Sequence, residues 1–179
     1  MGLLLVGSLV NLSLNSMIKN IKGNPMSHNY QIFSHNFSEF IPLFEATFKQ
    51  TLKRLLGAQE CMFIETIELN AIDFCNAWYL VMTKPCQKEV WVITHPYTHK
   101  QYQTDITVVS LVAMMYAIEE ALYLFSQQYK DDPRPVEVKS FKYSEFHDYL
   151  TEVRANILYQ YDALNLSDAA SKIFYTLID

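Results

Sequence analysis

Glycine and cysteine are scarce in this chain of 179 residues, which has four Gly and three Cys. The glycines are too scattered to form the glycine-rich loops that bind phosphates or dinucleotides. The cysteines, Cys61, Cys75 and Cys86, are odd in number and lack the Cys-x-x-Cys spacing. This usage argues against a secreted disulfide scaffold and against a zinc knuckle.

Basic residues are also few, and they are outnumbered by acids. The chain has 14 Lys and Arg against 19 Asp and Glu, a formal net charge of −5. Residues 101–179 hold six basic and twelve acidic residues, a net charge of −6. Binding to DNA needs a clustered basic face, whereas a DNA mimic needs far denser acidity, since duplex DNA carries one charge per roughly 1.7 Å. The charge pattern argues against both.

The N-terminal segment Met1–Val10 is an apolar run of the length found in signal peptides, but no basic residue precedes it. It is shorter than the roughly 20 residues that span a bilayer. A signal peptide remains an alternative. We predict that residues 1–37 are an N-terminal extension, either disordered or upstream of the true translation start, for which Met1, Met17 and Met26 are candidates. The ordered domain is then 38–179.

The remaining sequence predicts one helix followed by short strands. Half of all residues are hydrophobic, enough for a core. Apolar residues at helical spacing run from Ser38, a candidate N-cap, to Gly57, a candidate stop. Runs rich in β-branched and aromatic residues follow, at Cys61–Leu69, Ala77–Met82 and Glu89–Thr94. We expect these runs to form an antiparallel meander.

The second half predicts mainly helices. Asp105 can cap a helix from Ile106 to about Phe125 that is apolar on nearly every face and is therefore expected at the centre of the core. A linker at residues 126–140 would lead to a helix capped by Ser144, and Ser167 can cap a last helix ending at residue 178. The predicted fold is α+β, a single domain in which a small antiparallel sheet of about three strands packs with about four helices.

The segment His95-Pro-Tyr-Thr-His99 is the most suggestive local cluster. Two histidines four residues apart can share a metal on a helix, but Pro96 disfavours a helix here, so a surface turn after a strand is expected. A nucleophilic pair of Cys75 or Cys86 with His95 stays open, because such pairs are spatial rather than sequential. A small Cys- or His-dependent hydrolase is therefore one alternative.

Acidic and aromatic residues provide the other candidates. Glu119 and Glu120 interrupt the central apolar helix, which indicates a solvent-facing edge or a contact with Lys or Arg of the last helices. The chain has 12 tyrosines, concentrated in its second half. Tyrosine is favoured at interfaces because it buries a large area and keeps a polar tip. These features favour a protein-binding surface.

Four segments, in this order, resemble the ArdB/KlcA family of antirestriction proteins. Ser38–Pro42 is similar to the family's acidic-Phe-Leu-Pro entry to its first helix, and Ala77–Leu80 with Trp91–Pro96 to its aromatic hairpin. Asp105–Ile118 is close to the family's central helix, and Asp168–Asp179 to its closing Glu-Ala-x-x-Ile-Phe-x-x-Ile-Asp. The chain has Cys75-Asn-Ala where the family has a double glycine.

This resemblance implies an ArdB-like fold and a plasmid- or phage-borne protein acting in the host cytoplasm. It would relieve type I restriction of incoming DNA by contacts with the restriction machinery or an associated host protein. The resemblance implies no enzymatic activity, and the residues themselves predict no cofactor, no metal, no membrane association and no direct nucleic-acid binding. Candidate contact residues, chosen from composition, are Tyr97, His99, Glu119 and Glu120. An inhibitor of another bacterial defence system, such as an anti-CRISPR protein, is the alternative in the same class.

Overall fold

A computed structural model describes residues 27–57, 64, 68–74, 77–82 and 90–179. In these ranges the helices are α1 (His28–Asn36), α2 (Ile41–Leu56), α3 (Ile106–Asp131), α4 (Val136–Gln160) and α5 (Asp168–Ile178), with a 3₁₀ turn at Tyr161–Leu164. The strands are β1 (Leu69–Phe74), β2 (Ala77–Met82), β3 (Trp91–Thr94) and β4 (Gln101–Thr104). The fold is α+β, as the sequence predicts.

Helix α3 lies at the centre of the fold. It packs against α2, α4, α5 and β2, and its first half is buried on nearly every side. In the described ranges α3 is also the one helix long and apolar enough to cross a membrane, but 67% of its apolar window is covered by the rest of the protein. The Asp105 carboxylate accepts the N–H groups of Thr107 (2.7 Å) and Val108 (3.0 Å). Both the core position and the cap are as predicted.

Helix α1 belongs to the same core, although its residues fall within the segment predicted as an extension. Phe33 is fully buried, and its ring lies 4.9 Å from that of Trp78 and stacks on Tyr149 at 5.4 Å. Asp73 of β1 accepts the backbone N–H of His28 (2.7 Å), which satisfies an amide at the N-terminus of α1. The core therefore includes residues before Ser38.

The strands form two separate sheets, so the predicted single meander of about three strands is wrong. β1 pairs with β2 in antiparallel register (Ala71 opposite Leu80), and β3 pairs with β4 (Val92 opposite Gln103). β4 escapes prediction because Gln-Tyr-Gln-Thr lacks an apolar or β-branched run.

The first predicted strand, Cys61–Leu69, is also misplaced. Ile64 is helical and the strand begins at Leu69. Residues 61–63 and 65–67 lie outside the described residues.

Two helix boundaries differ from prediction around the α3–α4 connection. α3 continues past Phe125 to Asp131, and α4 begins at Val136, with Ser144 inside it, so the loop is only 132–135. Lys139 Nζ donates to the backbone carbonyls of Tyr129 and Asp132, each at 3.2 Å, and so caps the end of α3 from the start of α4. Because this contact joins two helices, the periodicity of neither helix in the sequence indicates it.

Of the other predicted helix ends, the start of α2 is wrong, whereas the end of α2 and the start of α5 are confirmed. α2 begins at Ile41 without a side-chain cap rather than at Ser38. It ends at Gly57, whose φ of 78° lies in the left-handed region that glycine adopts without strain. Ser167 Oγ accepts the N–H of Ala170 (3.2 Å) and caps α5, as predicted.

Candidate protein-interaction face

In the middle of α3, one line of side chains reaches solvent. Tyr116, Glu119, Glu120 and Tyr123 follow the i, i+3, i+4, i+7 spacing of a single helix face, and Tyr123 is 64% exposed. Their neighbours on the other sides of the helix, such as Ala117, are buried. Because the other sides of this part of α3 pack in the core, this line of side chains forms its solvent-facing surface.

The two carboxylates on this line are both ion-paired, on opposite flanks. Glu119 Oε1 accepts from Arg154 Nη2 of α4 at 2.7 Å, and Glu120 pairs with Arg54 of α2. The contact of Glu119 with an arginine of a late helix is one of the two predicted alternatives. Exposed pairs of this kind contribute only about 0–1 kcal/mol to stability. Their main effect is to neutralise the carboxylates and to order both edges of the face.

The loop between β3 and β4 joins the same surface. The Tyr97 ring packs edge-on against the Tyr116 ring, with centroids 6.4 Å apart, while its side chain remains 76% exposed. Two tyrosines with large exposed areas, Tyr97 and Tyr123, thus lie on either side of the paired carboxylates. We call the set Tyr97, Tyr116, Glu119, Glu120 and Tyr123 the tyrosine–carboxylate face.

Tyr116 anchors this face from below. Its hydroxyl donates to the backbone carbonyl of Leu177 at the end of α5 (2.5 Å). Burial raises the pKa of Tyr116 to about 12, with the neighbouring Tyr97 and Glu119 adding to the rise and Arg54 opposing it. The hydroxyl therefore stays protonated near neutral pH and remains a donor. Tyr116 ties α3, α5 and the β3–β4 loop together.

The two histidines of the loop have different environments. His95 is buried, and its Nδ1 accepts the backbone N–H groups of Tyr97 (3.1 Å) and Thr98 (3.3 Å). His99 is exposed and has a φ of 56°. Across the described ranges, no group of three or more His, Cys, Asp or Glu side chains is placed to hold a metal ion. The turn expected after the strand is present. The side chain of His95 is buried beneath it, and that of His99 is exposed.

The described surface also has two concave regions. A cleft of about 110 Å³ between α1 and α4 is lined by Asn29, Tyr149 and Glu152 among others. An open concavity of about 480 Å³ lies against Lys49 and Lys53 of α2. Neither is lined by a described His or Cys, and the cleft is smaller than the 300–1,000 Å³ typical of ligand pockets. Cys75 and Cys86, the cysteines of the proposed Cys–His pairs, lie outside the described residues.

Of the predicted contact residues, three lie on the tyrosine–carboxylate face: Tyr97, Glu119 and Glu120. His99 lies on the adjoining loop. The prediction did not include Tyr116 and Tyr123, although their spacing from Glu119 and Glu120 could have shown that they share a helix face. The arginine partners come from α2 and α4, and no local pattern in the sequence places them there.

Comparison with known proteins gives no family. No family model, no curated protein and no solved structure matches the chain.

Proposed function

We propose that this protein is an inhibitor that acts by binding another protein through the tyrosine–carboxylate face. The observation that carries the proposal is the placement of Tyr97 and Tyr123, 76% and 64% exposed, on a surface whose ordered base is fixed by Tyr116 and two ion pairs. Tyrosine and arginine are the residue types enriched at the energetic centres of protein interfaces. The face presents two exposed tyrosines, and arginines pair with its carboxylates along both edges.

The charge of the face favours a protein over a nucleic acid as partner. Its carboxylates are paired with Arg54 and Arg154, so it presents neither a basic stripe for phosphates nor a run of free acids. Direct DNA contact and imitation of DNA both need an uncompensated charge of one sign. A largely neutral aromatic surface suits a protein partner, because aromatic residues are enriched and charged residues depleted at the core of protein interfaces.

The proposed target is the type I restriction machinery or a host protein associated with it. Support for this step comes from the four sequence segments similar to the ArdB/KlcA antirestriction family. The segments Ala77–Leu80 and Asp105–Ile118 lie in β2 and at the start of α3, next to one another in the core. An ArdB-like fold, action in the cytoplasm and absence of catalysis are parts of the same proposal.

A transfer assay tests this function. Unmodified plasmid DNA is introduced into cells with an active type I system, with and without the full chain, and recovery is compared with that of pre-modified DNA. The proposal predicts that the protein raises recovery of unmodified DNA and leaves that of pre-modified DNA unchanged. Unchanged recovery, with folded protein confirmed in the cells, would reject type I restriction as the target.

A parallel assay tests the alternative function, an inhibitor of another bacterial defence system. Cells whose only defence is a CRISPR system receive targeted and untargeted plasmids with and without the protein. Protection of the targeted plasmid there, but not of unmodified DNA in restricting cells, would assign the protein to another defence system.

A further inference from the structure

The loop between β3 and β4 is closed by its first residue. The backbone N–H of His95 donates to the carbonyl of Lys100 (2.9 Å), and the N–H of His99 donates to the carbonyl of His95 (3.0 Å). The two amides between them, of Tyr97 and Thr98, both point at the imidazole Nδ1 of His95. Pro96 and the turn leave these two amides without partners in the β3–β4 hydrogen-bond ladder. The His95 side chain accepts both of them.

This geometry defines the chemical state of the ring. Both groups facing Nδ1 are N–H donors, so Nδ1 carries a lone pair and the ring proton is on Nε2. The imidazole is only 7% exposed, so water replaces these two hydrogen bonds poorly. Protonation of Nδ1 would put three donors at one point. His95 therefore acts here as an acceptor for the loop.

The same ring touches the exposed tyrosine of the face. The His95 and Tyr97 rings are 5.9 Å apart, and Tyr97 in turn contacts Tyr116 at 6.4 Å. The two hydrogen bonds fix the backbone at the residue whose side chain must project onto the tyrosine–carboxylate face. Without them, the backbone at Tyr97 would be less constrained within the loop, and ordering it on binding would cost affinity.

We infer that His95 is a positioning residue for the partner contact: its Nδ1 holds the loop so that Tyr97 is pre-organised against Tyr116. The inference rests on the proposed function, because it assigns His95 a part in that contact. It also distinguishes His95 from a histidine that merely fills the core. A core-filling role depends on the volume of the ring, whereas the positioning role depends on an acceptor at the δ position.

Two substitutions separate these roles. His95→Phe keeps a ring of similar size and removes the acceptor. His95→Asn loses the ring but keeps an acceptor, because Asn Oδ1 is the same number of bonds from Cα as His Nδ1. Asparagine commonly accepts backbone amides two residues on in Asx turns. If the acceptor is what matters, the asparagine variant rescues what the phenylalanine variant loses.

Amide hydrogen exchange on the purified full chain provides the first readout. We expect exchange at Tyr97 and Thr98 to be about fivefold faster in His95→Phe, the effect of losing a hydrogen bond worth about 1 kcal/mol at each amide, and near native in His95→Asn. Amides elsewhere, such as those of Thr107 and Val108 that the Asp105 carboxylate caps, should exchange at the native rate in both variants. Native exchange at Tyr97 and Thr98 in His95→Phe would overturn the inference, as would equal loss in the two variants.

Protection in the transfer assay provides the second readout. His95→Phe should lose protection to the same extent as Tyr97→Ala, and His95→Asn should retain it. If His95→Phe exchanges fast while Tyr97→Ala protects fully, the proposed face is wrong and the binding role of His95 falls with it. Because exchange needs no partner, a failure of the loop geometry and a failure of the proposed function give different results.

Discussion

Replacement of Phe33 by alanine tests whether α1 is part of the folded core. Phe33 has no exposed surface, and its ring lies within 6.1 Å of six other aromatic rings. These rings come from α1, the turn after it, α2, β2 and α4, and they are Tyr30, Phe37, Phe44, Trp78, Phe146 and Tyr149. Removal of the ring leaves a cavity that this many rigid neighbours cannot fill by small shifts.

The expected cost follows from that burial. Phe→Ala substitutions in well-packed cores lower the free energy of unfolding by about 3–5 kcal/mol. For a chain of this length each kcal/mol lowers Tm by about 2–4 °C, so we expect a drop of roughly 6–20 °C. Urea and thermal unfolding followed by circular dichroism measure it. Ile32→Ala, at a neighbouring residue that is 41% exposed, is the control and should cost less than about 1 kcal/mol. A loss within about 1 kcal/mol for Phe33→Ala would refute the placement of α1 in the core.

Two further predictions concern local electrostatics and capping. Asp105→Ala removes the acceptor for two amides at the start of α3 and should lower the free energy of unfolding, measured by urea titration, by about 1 kcal/mol. The control Asp131→Ala, at the exposed end of α3, should leave this free energy unchanged. Equal effects of the two variants would reject the cap. The Arg134 guanidinium, through its hydrogen bonds, holds the pKa of Asp132 at about 2. Since the folded-state pKa is depressed, the stabilisation is complete above the ordinary value near 4 and is lost as pH falls toward 2. NMR titration of Arg134→Ala should show the Asp132 pKa returning toward its ordinary value, and an unchanged pKa would rule out this pair as the cause.

Local signals in the sequence identify much of the helical fold. The all-round apolar pattern of α3 places it in the core, and short polar residues locate its beginning and that of α5, because capping is decided within four residues of the chain. The end of α3 is different. It depends on Lys139 of the next helix reaching back to the carbonyls of Tyr129 and Asp132. A contact between two elements leaves no periodic trace in either.

The sheets and α1 show the same limit. Pairing of β3 with β4 rather than with β2 depends on the loop that His95 closes, and a polar strand such as β4 has little propensity signal of its own. The short amphipathic signal of α1 is weak. Its helix is held by tertiary contacts of Tyr30 and Phe33 and by Asp73 at its N-terminus. Asp73, Trp78 and Tyr149 are each more than 40 residues along the chain from their contacts in α1.

The candidate face could be predicted only in part. Glu119 and Glu120 stand out because they interrupt an apolar run, and Tyr97 because it follows a strand in a turn. The sequence does not show that these residues meet on one surface, since that depends on how the β3–β4 loop folds over Tyr116. The arginines that neutralise the acids also come from distant elements. Their effect changes the expected surface from acidic to nearly neutral.

The central claim is that the tyrosine–carboxylate face binds the protein partner, and the most direct measurement is protection by a double variant, Tyr97→Ala with Tyr123→Ala, in the type I transfer assay. Each tyrosine at an interface hot spot is worth about 2 kcal/mol, roughly 30-fold in affinity. Tyr159→Ala is the matched control, since this tyrosine is 87% exposed and lies about 140° around α4 from Arg154. We predict that the double variant folds with native stability and loses protection, while Tyr159→Ala protects like the native chain. Full protection by the double variant would contradict the account.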